Sequence, residues 1–159
     1  MSTLTERLRP LTSLLLHLAN GLRPIAALLT RLVIGWTFVG TGLGKWQHFE
    51  NTTKFFTDIG IPAPAANAAF IASLELVGGA MLMIGFGTRI FAALLSATMI
   101  VAILTADWKD FIGAFHGGEK GLLDVTPVPF LLFLGWLVAF GAGAISIDWF
   151  FRPKNTTKS

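Results

Sequence analysis

Apolar residues gather in four runs of membrane-spanning length, at 24–44, 66–85, 88–106 and 126–147, with short polar stretches between them. Each run approaches the ~20 residues that a hydrocarbon core demands of a crossing helix. Lipid offers backbone groups no hydrogen-bond partner, so each run is expected to be a helix. Gly and Pro mark the boundaries. Pro24 opens the first run, Pro62 and Pro64 precede the second, Gly85 and Gly87 separate the second from the third, and Pro127 and Pro129 open the fourth. The second and third runs should therefore form a tight hairpin.

Residues 11–22 are also apolar and follow Arg7 and Arg9. His17 and Asn20 interrupt this stretch, and Arg23 follows without an A-x-A-like cleavage site, so a short helix on the inner membrane surface is expected there rather than a signal peptide. The organisation read from the pattern is a cytoplasmic, interfacial segment at 1–23, a four-helix membrane domain at 24–147 and a tail at 148–159. Basic residues set the orientation. Arg7, Arg9, Arg23, Arg89, Arg152, Lys154 and Lys158 flank one side, against Lys45, Lys54, Lys109 and Lys120 on the other. Both termini are expected in the cytoplasm, with Trp46 and Trp108 at the outer interface and Trp149 at the inner one.

Composition agrees with a bilayer environment. Hydrophobic residues make up 53% of the 159-residue chain and charged residues only 13%, with a mean hydropathy of +0.68, whereas soluble domains carry about 25% charged residues. The net charge of +3 is small and scattered, which argues against a nucleic-acid partner. Cysteine is absent, excluding disulfides, iron-sulfur centres and covalently attached haem. The chain also has no tyrosine, and so no phenolic proton relay.

Two charges lie inside the apolar runs: Arg31 in the first and Glu75 in the second. An unpaired charge at mid-span costs roughly 2.5–3.5 kcal/mol on insertion scales. Counted from Pro24 and Gly85, the two reach similar depths, about 10 and 15 Å, so both are expected to face the bundle interior and touch. Two readings of the pair stay open. It is a buried bridge that sets which helix faces meet, with Gly78 and Gly79 allowing close approach, or it is a working site in which Glu75 exchanges a proton or the pair holds a quinone carbonyl.

A second polar group falls on the outer side: Lys45 and His48 after the first run, with Asp107, Lys109, Asp110, His116, Glu119, Lys120 and Asp124 between the third and fourth. No H-x-x-x-H or H-E-x-x-H spacing occurs, so a solvated polar loop is preferred to a metal site. His48 and His116 lie outside the expected hydrocarbon, which argues against a mid-membrane haem. Lys45 ends a small-residue run whose Gly40 and Gly44 form a GxxxG step. It either snorkels to the surface or draws an anion or quinone oxygen to the outer mouth. The G-x-G steps at Gly85-Phe86-Gly87 and Gly141-Ala142-Gly143 follow no strand, so neither signals a nicotinamide or flavin fold.

From about Arg31 to Asp148 the chain resembles the DoxX family of small four-helix membrane proteins. The resemblance rests on Arg31, Gly42-Leu43-Gly44-Lys45, Gly60-Ile61-Pro62, Glu75 with Gly78-Gly79, Gly87-Thr88-Arg89, Met99 with Ala102, Gly118-Glu119, and Gly141-x-Gly143-x-x-Ser146-x-Asp148. The family takes its name from membrane subunits associated with archaeal quinol oxidase and thiosulfate:quinone oxidoreductase. The resemblance thus implies a quinone-linked or thiol-redox setting, and it singles out Arg31, Lys45 and Glu75. Relatives often carry a histidine near the end of the third helix, where this chain reads Ala106-Asp107-Trp108.

The expectation is an all-α, four-helix transmembrane bundle of the inner membrane, acting as a subunit of a quinone-linked oxidoreductase system. Glu75 and Arg31 would be its central pair, and Lys45, His48, Asp107, His116 and Glu119 its outer quinone-binding face. Quinone is the cofactor expected, and a partner subunit or a second copy is expected beside the lipid. The chain shows no electron carrier of its own. The alternative is a non-catalytic anchor or assembly factor that docks a soluble partner. A small-molecule transporter fits less well, since no inverted repeat is evident. The orientation predicts that a reporter fused after Ser159 reads out in the cytoplasm; an extracytoplasmic signal from that fusion overturns the even-span arrangement.

Overall fold

The structure, a computed structural model, describes residues 2–151, with side chains from residue 21 onward. Helices account for all regular structure among these residues. They are α1 (Ser2–Gln47), α2 (Phe49–Asp58), α3 (Pro64–Ile84), α4 (Thr88–Thr105), α5 (Trp108–Gly113), α6 (Pro127–Phe140) and α7 (Ile147–Phe150), with one 3₁₀ turn at Leu122–Asp124. The helices α1, α3, α4 and α6 pack side by side, α1 against α3, α3 against α4 and α4 against α6, and α2 lies across α3. The α1/α6 contact is the thinnest of these junctions.

Among the described residues, three segments are long and apolar enough to cross a membrane: Gly21–Gln47, Pro64–Ile84 and Thr88–Thr105. Pro64 and Pro127 each open a helix at its first turn, where the missing amide hydrogen costs nothing. Gly85 closes α3 in the left-handed conformation (φ 71°), its amide and that of Phe86 both bonding to Met81 O. Gly87 (φ 57°) then starts α4, so the expected hairpin is present.

Two boundaries differ from the sequence reading. Pro24 does not open a helix; it lies inside the 46-residue α1, and no break separates a short N-terminal surface helix from the first span. The side chains of 1–20 fall outside the described set, so the interfacial placement of 1–23 lies outside the described residues, as does most of the tail. The fourth apolar run, expected as a helix over 126–147, stops at Phe140. A 14-residue helix is about 21 Å long, short of the ~30 Å hydrocarbon core. Gly141 leaves it with φ 76° and ψ −166°, and residues 141–146 form no helix before α7. Apolar composition set the expectation of a continuous helix. Two glycines at positive φ, Gly141 and Gly143, end it.

The core is built from Ile34 and Phe38 of α1, Leu82 of α3, Ala92 and Leu95 of α4, and Leu134 and Leu137 of α6. Large apolar side chains also cover the outside: Val33 and Trp36 on α1, Phe70 on α3, Ile90 on α4 and Phe140 on α6 are all 60% exposed or more. An apolar exterior around an apolar core is what a bilayer solvent permits and water does not.

Small residues bring α1 and α3 together, as expected, but not the pair foreseen on α1. A Cβ on Gly40 or Gly44 would meet nothing within 4 Å, whereas one on Gly42 would lie 2.6 Å from Leu76 N. Likewise a Cβ on Gly35 would lie 2.6 Å from Gly79 O, and one on Gly79 would lie 2.6 Å from Gly35 O. Gly35 and Gly42, two turns apart, are therefore the contact step, with the backbones nearly touching. Gly79→Ala is expected to lower unfolding free energy in detergent by about 1–3 kcal/mol through overpacking. Gly40→Ala should leave it unchanged or raise it by up to ~1 kcal/mol through helix propensity. Equal effects in thermal denaturation would remove Gly79 from the interface.

Candidate functional site: a polar pocket at the loop end

One end of the bundle gathers the C-termini of α1 and α4 and the N-termini of α3 and α6, and may be called the loop end; the Gly85–Thr88 connection marks the other, the turn end. At the loop end Lys45 Nζ donates to Glu75 Oε2 at 2.5 Å. The Glu75 side chain is 4% exposed and that of Lys45 27%. Helical side chains lean toward their own N-terminus, so Lys45 at the end of α1 leans back into the bundle. Gly42, one turn earlier, lets α1 settle against Ala72 and Leu76, and this brings the neighbouring Glu75 within reach of the ammonium.

The pair lines a cavity of about 220 Å³ between α1 and α6. Thr37, Phe38 and Thr41 complete the α1 wall, Met99 and Asp107 come from α4 and its end, and Thr126, Pro127 and Phe130 from the start of α6. The Phe38 and Phe130 rings stand 5.4 Å apart and form the apolar side. The Thr37 and Thr41 hydroxyls donate to Val33 O and Phe38 O on their own helix, which leaves each oxygen able to accept. Thr37, Thr41 and Lys45 follow a four-residue spacing, so this polar stripe on an otherwise apolar helix was legible in the sequence. The contribution of Met99, Thr126 and Phe130 was not, because it depends on where α4 and α6 meet.

The structure therefore places Lys45, Glu75 and Asp107 around one cavity and the other candidates elsewhere. His48 precedes α2 and is exposed, making no side-chain cap. His116 is exposed, its Nδ1 3.0 Å from Ile112 O. Glu119 is an exposed loop residue. In the same loop Lys120 bonds to Asp110 at 2.6 Å, which holds its ammonium above the ordinary lysine value. Among the described residues no three His, Asp or Glu side chains converge as a metal site would require.

Arg31 does not meet Glu75. Its side chain is buried, 1% exposed, and its Nη2 donates to Ile145 O in the non-helical segment after α6. The guanidinium packs on Gly85, where a Cβ would collide with it. Glu75 sits ten residues earlier on α3, about 15 Å away along the helix. The depths were reckoned from Pro24 as a membrane boundary, and Pro24 is instead inside α1 beside Gly143, so Arg31 belongs at the turn end. Asp148 completes that end. Its Oδ1 and Oδ2 accept from Gly87 N at 2.7 Å and Thr88 N at 2.9 Å, its own amide donates to Gly85 O at 2.9 Å, and its charge acts on Arg31. Arg31 and Asp148 thus tie the end of the chain to the α3–α4 turn. Neither lines the pocket.

Comparison with known proteins accords with this architecture. The DoxX family model matches residues 26–108. The chain is 41% identical over 85 residues to the Bacillus subtilis protein named "Putative oxidoreductase CatD", covering 54% of this chain and 62% of that one. It is 28% identical over 130 residues to inner membrane protein YphA of Escherichia coli, covering 79% of this chain and 90% of that protein. A Mycobacterium tuberculosis membrane protein, Rv3486, is 31% identical over 140 residues, covering 84% of each. No solved structure matches. The chain belongs to the DoxX family and is a multi-pass membrane protein.

Removing one member of a buried ion pair leaves the other charged and unsolvated. Lys45→Met is expected to destabilise the protein by about 3–5 kcal/mol, and Lys45→Met with Glu75→Leu to recover most of that loss. A double variant as unstable as the single one in thermal denaturation would show that Glu75 does not depend on Lys45.

Proposed function

We propose that this DoxX-family chain is the integral membrane subunit of a quinone-linked oxidoreductase system, and that the cavity bearing Lys45, Glu75 and Asp107 receives the quinone head. The observation that carries the reading is a nearly buried carboxylate–ammonium pair lining a ring-sized cavity. Such a pair costs desolvation that two apolar residues would avoid, and intramembrane ionisable groups mark functional sites by default. The oxidoreductase name of the Bacillus subtilis relative lends it support.

The residues fit that group. An apolar cavity of about 150 Å³ admits benzene, so about 220 Å³ accommodates one substituted ring and is small for a macrocycle. Phe38 and Phe130 offer apolar faces to the ring, Lys45 offers a donor to its oxygens, and the Thr37 and Thr41 oxygens would accept from the hydroxyls of its reduced form. A bound quinone supplies two-electron, two-proton redox chemistry, with electrons arriving from a partner protein. Lys45 Nζ would donate a hydrogen bond to a ring oxygen, withdrawing its attraction from Glu75 as it did so. Glu75, beside Lys45 on the cavity wall, would be the group placed to exchange a proton with the ring. Asp107, only half-buried at the end of α4, would pass that proton between Glu75 and the aqueous loop side.

In the same reading the chain crosses the bilayer four times. The segment 141–146 completes the crossing that α6 begins, both termini are cytoplasmic, and the pocket opens toward the outer leaflet. Irregular backbone there packs in part on protein: Gly143 lies against Ala27 and Pro24, and Ile145 O is bonded by Arg31.

The test is to purify wild type and the Glu75→Gln variant in mild detergent, quantify co-extracted quinone, and titrate a short-chain quinone. In Glu75→Gln the Lys45 ammonium loses the carboxylate that positions it, and losing its charge-assisted contact with the ring oxygen, worth about 1.5–3 kcal/mol, weakens binding about tenfold or more. Quinone retained by wild type and reduced by that factor in a folded Glu75→Gln protein supports the reading. Wild type without quinone and without response to titration overturns it in favour of an anchor whose ion pair is structural.

A further inference from the structure

A second, larger cavity of about 490 Å³ lies at the turn end, apart from the first. Its walls are Arg89 and Ile90 of α4, Phe140 at the end of α6, the backbone of 141–144, and Asp148 with Trp149. Four carbonyls in and beside the segment are occupied. Ala139 O accepts from Arg89 Nη2 at 3.2 Å, Gly143 O from Ser146 Oγ at 2.9 Å, Leu137 O from Gly141 N at 2.8 Å, and Ile145 O from Arg31. The amides are not. Those of Ala142, Gly143, Ala144, Ile145 and Ser146 find no acceptor among the described residues, although Ala142 is only 6% exposed. A buried amide without a partner is rare, and successive amides released by residues at positive φ form anion-binding concavities.

The charges around this segment have the same sign as its free donors. Arg89 is exposed, with its Nε against Gly141 and one hydrogen bond to the protein. Arg31 stands behind the segment, 1% exposed, with Nε and Nη1 unpartnered. Asp148, the one acid lining the cavity, has both carboxylate oxygens committed to Gly87 N and Thr88 N. The Arg89 guanidinium and the segment's backbone thus line an opening, with Arg31 behind them, whose other walls are apolar and outward-facing: Ile90 is 66% exposed, Phe140 64% and Trp149 51%. The level is interfacial, since α3 ends at Ile84 and α4 begins at Thr88.

We infer that this cavity is a binding site for the phosphate group of an anionic phospholipid, held by Arg89 and the free amides of 142–144, with the acyl chains along Ile90, Phe140 and Trp149. A soluble phosphate shares the headgroup chemistry but makes no use of the apolar walls, and this commits the site to lipid. Bound lipid would complete the polar groups left open where the fourth crossing loses its helix.

The experiment titrates the detergent-purified full chain with phosphatidylglycerol, phosphatidylcholine and inorganic phosphate, and reads bound lipid by native mass spectrometry. Wild type should retain phosphatidylglycerol preferentially. Arg89→Gln should weaken that binding about fivefold, the worth of one basic group at an anionic surface. Arg89→Lys, which keeps the charge, should retain most of it, and it serves as the reporting variant should Arg89→Gln not fold. Lys109→Gln, at the opposite end of the molecule, should bind as wild type. Equal retention of the two lipids by wild type, unaltered binding in Arg89→Gln, or the same loss in Lys109→Gln overturns the site. Displacement of the lipid by millimolar inorganic phosphate assigns the cavity to a free anion and overturns the lipid.

Discussion

Hydrocarbon completes no hydrogen bond and solvates no charge, and most of this molecule's particular features are answers to that constraint. Glu75 is answered by Lys45, which bends back into the bundle instead of reaching for water. Arg31 is answered in part by Ile145 O and by the charge of Asp148. The hydroxyls of Thr37, Thr41, Ser96 and Thr98 are spent on carbonyls of their own helices. Dispersion packing then has to hold the helices together, because burying apolar surface gains nothing against lipid. Gly35 against Gly79 and Gly42 against Ala72 and Leu76 provide it. This close seam between α1 and α3 also fixes the height at which Lys45 meets Glu75, so packing and site share one cause.

The looser junction has a corresponding consequence. Between α1 and α6 the contact is thin, and the Phe38 and Phe130 rings meet there at 5.4 Å. Beyond those rings the two helices leave the pocket. A bundle in which every seam were as tight as α1/α3 would have no room for a ring beside Glu75. The division into one close seam and one open seam is what permits a stable fold to contain a cavity at all.

What the sequence made legible follows the same physics. Helices α3 and α4 and their tight turn could be read because length, apolar content and Gly85 with Gly87 all agree locally. Glu75 and Lys45 could each be singled out, since a charge within or bordering an apolar run is costly wherever it points. Partnership could not be read. Which cation meets Glu75 depends on the antiparallel register of α1 against α3, and a depth counted from Pro24 failed because a proline inside a long helix looks, in one dimension, like a proline that starts one. The length of α6 failed for a related reason. Residues 141–146 are apolar enough to continue a span, and only the backbone conformation at Gly141 and Gly143 shows that they do not. The GxxxG step at Gly40 and Gly44 was legible as a pattern but faces outward, because small residues permit an interface without specifying its partner.

The two ends of the bundle therefore hold their charges differently, and the difference separates fixed structure from chemistry. At the turn end Arg31 and Asp148 bond mainly to backbone, to Ile145 O and to the amides of Gly87 and Thr88. Backbone partners are fixed in place by the helices and the turn that carry them, and they suit a clamp. At the loop end Lys45 and Glu75 bond to one another beside a cavity with Asp107 on its rim. There each charge is answered by the other, and a ligand that engages Lys45 alters the surroundings of Glu75. A contact between two charged side chains next to open space can respond to an occupant, which is why the proposed reading rests on Glu75 and Lys45.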